Sequence, residues 1–222
     1  VSQRIYLQQQ VLQGNQRWAQ ENRTRFQEHA LLVVNVIGSP GAGKTTLLES
    51  MIPYMKRNVL VGVIEGDVAT TIDSERMARC GIQTVQINTH GACHLDAKMI
   101  ASASRHFSLS ELDLLIIENV GNLVCPTDFD LGEEIRVVVL STAEGSDKVQ
   151  KYPAVFQQAH AVVLNKIDLL PYVSFDLDIF HKELFHLNKD IRLFPVSALK
   201  GKGVEEFSDW LMTTRGEVGW KG

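Results

Sequence analysis

Two periodicities divide the chain. Over residues 1–29, Ile5, Val11, Leu12, Trp18 and Phe26 recur at roughly helical spacing among Gln, Asn and Arg. That is the pattern of an amphipathic helix. From Leu31 onward the pattern changes to short apolar runs, at 31–37, 59–64, 82–87, 112–117, 137–140, 161–164 and 191–194. Most do not alternate with polar residues, so they read as strands covered on both faces, as parallel strands are. The stretches 44–57, 72–80, 95–107, 152–158, 176–187 and 204–213 read as helices between them. This alternation predicts an α/β fold with a doubly wound, mostly parallel sheet. The expected organisation is one domain over 30–222, preceded by the helix at 1–29, which packs on the domain or on a partner subunit.

Composition adds mainly exclusions. The 222 residues are 45% hydrophobic and 22% charged, enough for one domain that buries its own core. The net charge of −4 and the lack of a Lys/Arg stripe argue against a nucleic-acid partner. No apolar run approaches the roughly eighteen residues of a membrane span. The Gln-rich beginning is unlike a secretory signal, although the chain starts at Val1 rather than Met. Three cysteines, Cys80, Cys93 and Cys125, have no disulfide-framework spacing; a reducing, cytoplasmic setting is the simpler expectation. Cys80 reads as packing.

The first chemical signal is Gly38-Ser39-Pro40-Gly41-Ala42-Gly43-Lys44-Thr45, followed by Thr46. It fits G-x-x-x-x-G-K-[ST] and falls between a strand and a helix, as a phosphate-binding P-loop does. Glycines turn backbone N–H groups toward phosphate, Lys44 supplies a point charge, and the helix adds its positive end. The Thr45 hydroxyl is the expected Mg²⁺ ligand. Mg²⁺ also takes carboxylates, and two strand ends offer them: Asp67 and Glu118. Ligands gather at such carboxyl ends of α/β strands, although either group could instead cap a turn. Asp73 reads either as reaching the γ-phosphate or lytic water, or as a first-turn Asp favoured by the helix dipole. Lys44, Asp67, Asp73 and Glu118 are thus the candidate catalytic set. After Glu118 the chain reads Asn-Val-Gly-Asn, without a Gln to orient water, so slow hydrolysis is expected.

The second signal is Asn165-Lys166-Ile167-Asp168 at the end of an apolar run. It resembles the N-K-x-D guanine motif of GTPases. One carboxylate can accept both N1–H and N2–H₂ of guanine, and adenine has no such donor pair. The Lys166 stem can lie along the purine, and Asn165 can brace the loop. Ser197-Ala198-Leu199 is similar to the GTPase S-A-x segment, whose backbone donors approach guanine O6. GTP with Mg²⁺ is the expected ligand.

Cys93-His94 and Cys125-Pro126 stand apart from this set. Two thiols and an imidazole suit Zn²⁺ or Ni²⁺ and leave a fourth position for water, a partner or transferred metal. From spacing alone, buried core residues or a chance thiol pair is the plainer reading. His90 is an outer ligand or a loop histidine.

Together, Glu65-Gly66-Asp67, Gly91-Ala92-Cys93-His94-Leu95-Asp96-Ala97 and Glu118-Asn119-Val120-Gly121-Asn122-Leu123-Val124-Cys125-Pro126 resemble the hydrogenase nickel-incorporation GTPases, the HypB family. The resemblance covers Leu31 to about Trp210. It implies a dimeric, nucleotide-switched P-loop GTPase of the class that includes the urease accessory GTPase. It further implies slow GTP hydrolysis, GTP-dependent homodimerisation, and a Ni²⁺ or Zn²⁺ site of Cys93, His94 and Cys125 at the dimer interface. The implied partners are a nickel-binding accessory protein and the hydrogenase large-subunit precursor. Lys148 falls in a segment the family uses near the interface, as a cross-subunit nucleotide contact or a solvated surface lysine. Residues 1–29 lack the Cys-rich or His-rich nickel motif of some members, so strong nickel storage is not expected. Alternative readings are a urease-type accessory GTPase, disfavoured because Thr127 rather than His follows Cys125-Pro126, and a GTP-bound metal scaffold without significant turnover. An ATP-driven deposition protein is opposed by Asn165-Lys166-Ile167-Asp168.

Overall fold

The computed structural model describes residues 2–55, 59–67 and 80–217. Seven strands form one sheet: β1 (Leu32–Gly38), β2 (Val61–Asp67), β3 (Gln83–Asn88), β4 (Leu114–Glu118), β5 (Ile135–Ser141), β6 (Ala161–Asn165) and β7 (Arg192–Pro195). Their order is β3-β2-β4-β1-β5-β6-β7, and all pairings are parallel. The unbroken apolar runs are explained by which face each residue serves. On β6, Ala161 and Val163 enter one core while Val162 and Leu164 enter another. On β5, Val137 and Val139 face the first core, Val138 and Leu140 the second.

Helices α1 (Ser2–Glu28), α2 (Lys44–Met55), α3 (Ala97–Ala103), α4 (Lys148–Lys151), α5 (Pro153–Gln157), α6 (Leu177–Leu187) and α7 (Val204–Glu217) are present among the described residues. Leu47 and Met51 of α2 and Phe207 and Leu211 of α7 cover one face of the sheet. The other face is divided. Phe26 of α1 and Ile100 of α3 cover the β2–β4 side, and Phe156, Phe180 and Leu184 of α5 and α6 cover the β5–β6 side. The helix expected over 72–80 lies outside the described residues except for Cys80, which packs against the first core.

Helix α1 docks differently from its apolar pattern. Val11 is exposed, whereas two asparagines, Asn15 and Asn22, are buried. Asn15 donates to Asp130 O (2.8 Å) and accepts from Ala97 N (2.8 Å). Asn22 donates to Ala97 O (2.8 Å) and Leu131 O (2.9 Å), and Arg23 pairs with Asp130 at 2.8 Å. Seven residues apart, the two amides share one helix face, and that face meets the start of α3 and the 130–132 turn. At Gly132, φ is +89° and a Cβ would fall 2.7 Å from Ala19 O, so only glycine lets the helix approach this closely. The helix ends with Leu31 N donating to Phe26 O and Ala30 N to Gln27 O, the paired bonds of a Schellman stop.

Asn22→Ala leaves the Ala97 and Leu131 carbonyls without their donor. The expected cost is about 2 kcal/mol, read as a Tm lowered by roughly 4–8 °C in calorimetry. An unchanged Tm would show that α1 contributes little to the fold.

Candidate nucleotide and metal site

Because β1 lies between β4 and β5, the turn that leaves it emerges beside the ends of both neighbours. Gly38 touches β5 so closely that a Cβ would lie 2.5 Å from Val139 O. Gly41 (φ +76°) and Gly43 (φ +93°) then take left-handed conformations that carry the loop into α2. Lys44 is buried, its Nζ 3.2 Å from Gly38 O. Thr45 Oγ1 donates to Glu118 Oε1 at 2.8 Å. A cavity of about 530 Å³ opens here, bounded by Pro40, Gly41 and 43–46 on one side. Glu65 and Gly66 from β2, Glu118 at the end of β4 with residues 119–121 after it, and Lys166 complete its wall. Ser39 and Ala42 shape the loop from behind: Ala42 N donates to Ser39 O, and Ala42 is fully buried.

Base-motif residues meet this loop directly. Asn165 Nδ2 donates to Ala42 O (3.0 Å), and its Oδ1 accepts from Lys166 N (2.8 Å) and Ala198 N (3.1 Å). Lys166 is left-handed at φ +61°, a strained choice for a side chain of this size, and its Nζ reaches Gly41 O at 2.6 Å. Asp168 Oδ1 accepts from Ser197 Oγ at 2.6 Å. That bond chiefly holds the Asp168 carboxyl below the usual range, with Lys200 and Lys166 assisting. Leu199 is exposed. Lys148 lies apart from the cavity, 3.8 Å from Glu144 Oε2 and over the Tyr152 ring.

Glu65 was missed by sequence reasoning. It is buried and lies opposite Glu118 in the β2–β4 register, so two carboxylates face the phosphate cavity. A Glu directly after an apolar run was the available signal. Asp67 ends β2, two residues beyond Glu65 and one strand period away. Asp73 lies outside the described residues.

The Cys93, His94 and Cys125 ligand atoms all lie within 4.8 Å of one another, although 31 residues separate the two cysteines. Cys93 Sγ is 3.7 Å from His94 Nδ1. A tetrahedral ion with bonds of about 2.0–2.3 Å spaces its ligands roughly 3.3–3.8 Å apart, so a small contraction closes the cluster. The helix expected over 95–107 begins later, so Cys93 and His94 lie outside it. They sit in a turn after His90 and Gly91, both at positive φ. Helix α3 starts only at Ala97, after Asp96 caps it by accepting from Met99 N. His90 is exposed and outside the cluster. The His94 ring stacks on Phe129 at 3.8 Å between centroids. Burial lowers the His94 pKa against the pull of Asp96 and Asp128, which favours the neutral, ligating imidazole. The Cys93 hydrogen bond and burial push the Cys125 thiol up, while the Asn122 side chain opposes the rise.

Strand order, glycine loop and carboxylates at the strand ends define a P-loop nucleotide-binding protein of the parallel α/β class. The CobW/HypB/UreG nucleotide-binding domain family matches residues 32–195. The hydrogenase maturation factor HypB of Escherichia coli strain K12 is 46% identical over 205 residues, covering 92% of this chain and 71% of that protein. The crystal structure of Helicobacter pylori HypB in complex with nickel superposes with a TM-score of 0.87 at 37% identity, covering 92% and 96% of the two chains. HypB from Archaeoglobus fulgidus gives 0.85 at 40% identity, covering 91% and 98%. The chain belongs to the HypB family.

At Gly43 a Cβ would fall 2.5 Å from Asn165 Nδ2. Gly43→Ala therefore pushes Asn165 off Ala42 O and strains the loop, at about 1–3 kcal/mol. Guanine-nucleotide affinity is expected to fall at least about tenfold in a fluorescent-nucleotide titration. Unaltered affinity would mean that this contact does not shape the binding loop.

Proposed function

We propose that this chain is a GTP-hydrolysing metal carrier that supports nickel insertion into a [NiFe]-hydrogenase precursor, gated by GTP-dependent pairing of two copies. One observation carries the reading. The stretch 118–125 lines the phosphate cavity at one end and supplies a thiol of the three-ligand cluster at the other. So short a backbone cannot be reordered at one end without disturbing the other.

In this reading the backbone of 38–45 and Lys44 hold the triphosphate, and Asp168 selects guanine. Its low pKa keeps it an acceptor for both guanine donors. The hydroxyl of Thr45 beside the buried Glu118 carboxylate is an oxygen set that fits a hard cation. Thr45, Glu118 and Asp67 would hold Mg²⁺, with Glu65 beside them. When bound, that ion offsets the charge on the β- and γ-phosphates. The segment 118–121 senses the terminal phosphate as switch segments do. Asp73 stays a candidate for water orientation. Turnover is expected to be slow, on the order of unstimulated Ras.

Nickel, or zinc in its place, is the cargo. Two thiols and a neutral imidazole suit either ion. A site with three ligands from one chain leaves a position for exchange, met by water, a second copy or the recipient. A nickel-binding accessory protein and the hydrogenase large-subunit precursor are the proposed partners, and Lys148 is the candidate cross-subunit contact. No described helix is long and apolar enough to cross a membrane.

Two experiments test the reading. Asp168→Asn exchanges an acceptor for a donor against guanine N1–H. Preference should shift from GTP to xanthosine triphosphate in competition binding; retained GTP preference would overturn the base assignment. In the second, Ni²⁺ affinity is compared between Mg-GDP and a non-hydrolysable GTP analogue, with phosphate release measured in parallel. Affinities differing by about fivefold or more are expected, with Cys93→Ala and Cys125→Ala each abolishing stoichiometric nickel in a folded chain. Equal affinities, or no phosphate release from the dimer, would leave a nucleotide-bound scaffold.

A further inference from the structure

The phosphate loop and the cysteine pair are joined at one residue. Asn122 forms an isolated antiparallel bridge with Gly38, the last residue of β1. The preceding Gly121 presses on the loop itself: a Cβ there would lie 3.0–3.2 Å from Pro40 Cγ, N and Cα. The backbone at 121–122 is therefore pinned to the phosphate loop at two successive positions. The Asn122 side chain points the other way along the chemistry. Its Oδ1 accepts from Val124 N at 2.8 Å, which shapes the turn into Cys125. Its Nδ2 donates to Cys93 O at 3.4 Å, across the gap between the two cysteine segments. It also acts on the Cys125 thiol.

Another polar link in this region has a different character. Asn119 takes Leu95 N on its Oδ1 (3.2 Å) and donates to Asn35 Oδ1 (3.1 Å). It is almost wholly buried and anchored to the central strand, so it fixes the 93–97 loop in place. Asn122 is half-buried, and its bond to Cys93 is long enough to tighten or break with a small shift.

We propose that Asn122 is the positioning residue through which the phosphate loop sets the separation of Cys93 and Cys125, and so couples bound nucleotide to metal affinity. The proposal rests on the nucleotide-gated reading above. A change at Pro40 or Gly38 as the loop closes on phosphate moves the Asn122 backbone. The side-chain amide then moves the Cys93 carbonyl and the 122–124 turn together. Thermodynamic reciprocity requires that metal holding the thiols together feeds back on nucleotide affinity by the same factor.

Asn122→Ala and Asn122→Ser test it in the full chain. Serine keeps a short oxygen that can accept from Val124 N but cannot span to Cys93 O. Ni²⁺ alone is the probe, titrated against a chromophoric chelator with Mg-GDP or a non-hydrolysable GTP analogue bound. Both variants are expected to bind one Ni²⁺ and to keep nucleotide affinity within about threefold, while the ratio of the two nickel affinities falls from about fivefold or more to near one. If both retain the wild-type ratio, or the serine variant loses nickel equally in both nucleotide states, Asn122 is not the coupling residue. A wild-type ratio of one brings down the gated reading itself, before any variant is measured.

Discussion

The position of β1 between β4 and β5 is the constraint on which the rest depends. Parallel strands emit their following loops at one edge of the sheet, and the central strand's loop must lie between those of its neighbours. The phosphate loop thereby sits against the β4 exit at Gly121 and Asn122 and against the end of β5 at Val139. Everything brought to the cavity follows from this adjacency: Glu118 from β4 onto Thr45, Glu65 from β2 one strand further, and Asn165 from β6 reaching back to Ala42. The β1–β4 register then fixes which carboxylate meets which hydroxyl. A one-residue slip would turn Glu118 to the opposite face.

A polar seam holds that register. Asn35 lies in the middle of β1, fully buried, between the two apolar clusters of one face. It donates to Glu133 and accepts from Asn119. Glu133 pairs with Arg136 at 2.7 Å. Arg136 also donates to Thr127 O and Gln158, so the stretch after Cys125 is tied to β5. Buried ion pairs gain little net stability, because desolvation offsets most of the attraction. The distribution of this one matters more. Its members touch β1, the β4 exit and the 127–133 stretch. An apolar replacement could fill the same space but would not set where the thiol-bearing turn leaves the sheet.

Much of this architecture was legible in the chain. Continuous apolar runs announced a parallel sheet, because each strand must serve two cores at once, as β5 and β6 do residue by residue. The glycine loop and Asn165–Asp168 were readable because their chemistry needs particular residues at fixed spacing. What stayed hidden were contacts between distant segments. Nothing local marks Asn15 and Asn22 as the docking face of α1, since a buried amide looks like a solvated one until its carbonyl partners are known. Val11 misled for the converse reason: an apolar residue at helical spacing can remain exposed. Glu65 lay in view, but Asp67 stands two positions on in the sequence, and spacing alone does not choose between them. Cys93 and Cys125 carried a chemical hint without a distance. The fold brings their segments together because only β2 lies between β3, which leads to Cys93, and β4, which leads to Cys125.

The three-ligand cluster follows from the same geometry in a way that bears on what it can do. A structural metal site fills its coordination and is held by rigid elements. Here Cys93 and His94 occupy a turn between β3 and the capped start of α3, and Cys125 begins a short 3₁₀ turn after the cavity wall. Neither segment is itself a strand or α-helix. Their outer ends are nevertheless fixed, by Asn119 at Leu95, by α1 at Ala97 and Asp130, and by Phe129 stacked under His94. The short spans between those anchors carry fewer ties, and the amide link that crosses them comes from the residue bridged to the phosphate loop. A cluster held firmly around its rim and loosely at its centre suits an ion that must leave as well as bind. Under the proposed gating, departure depends on the cavity next door rather than on unfolding of the domain.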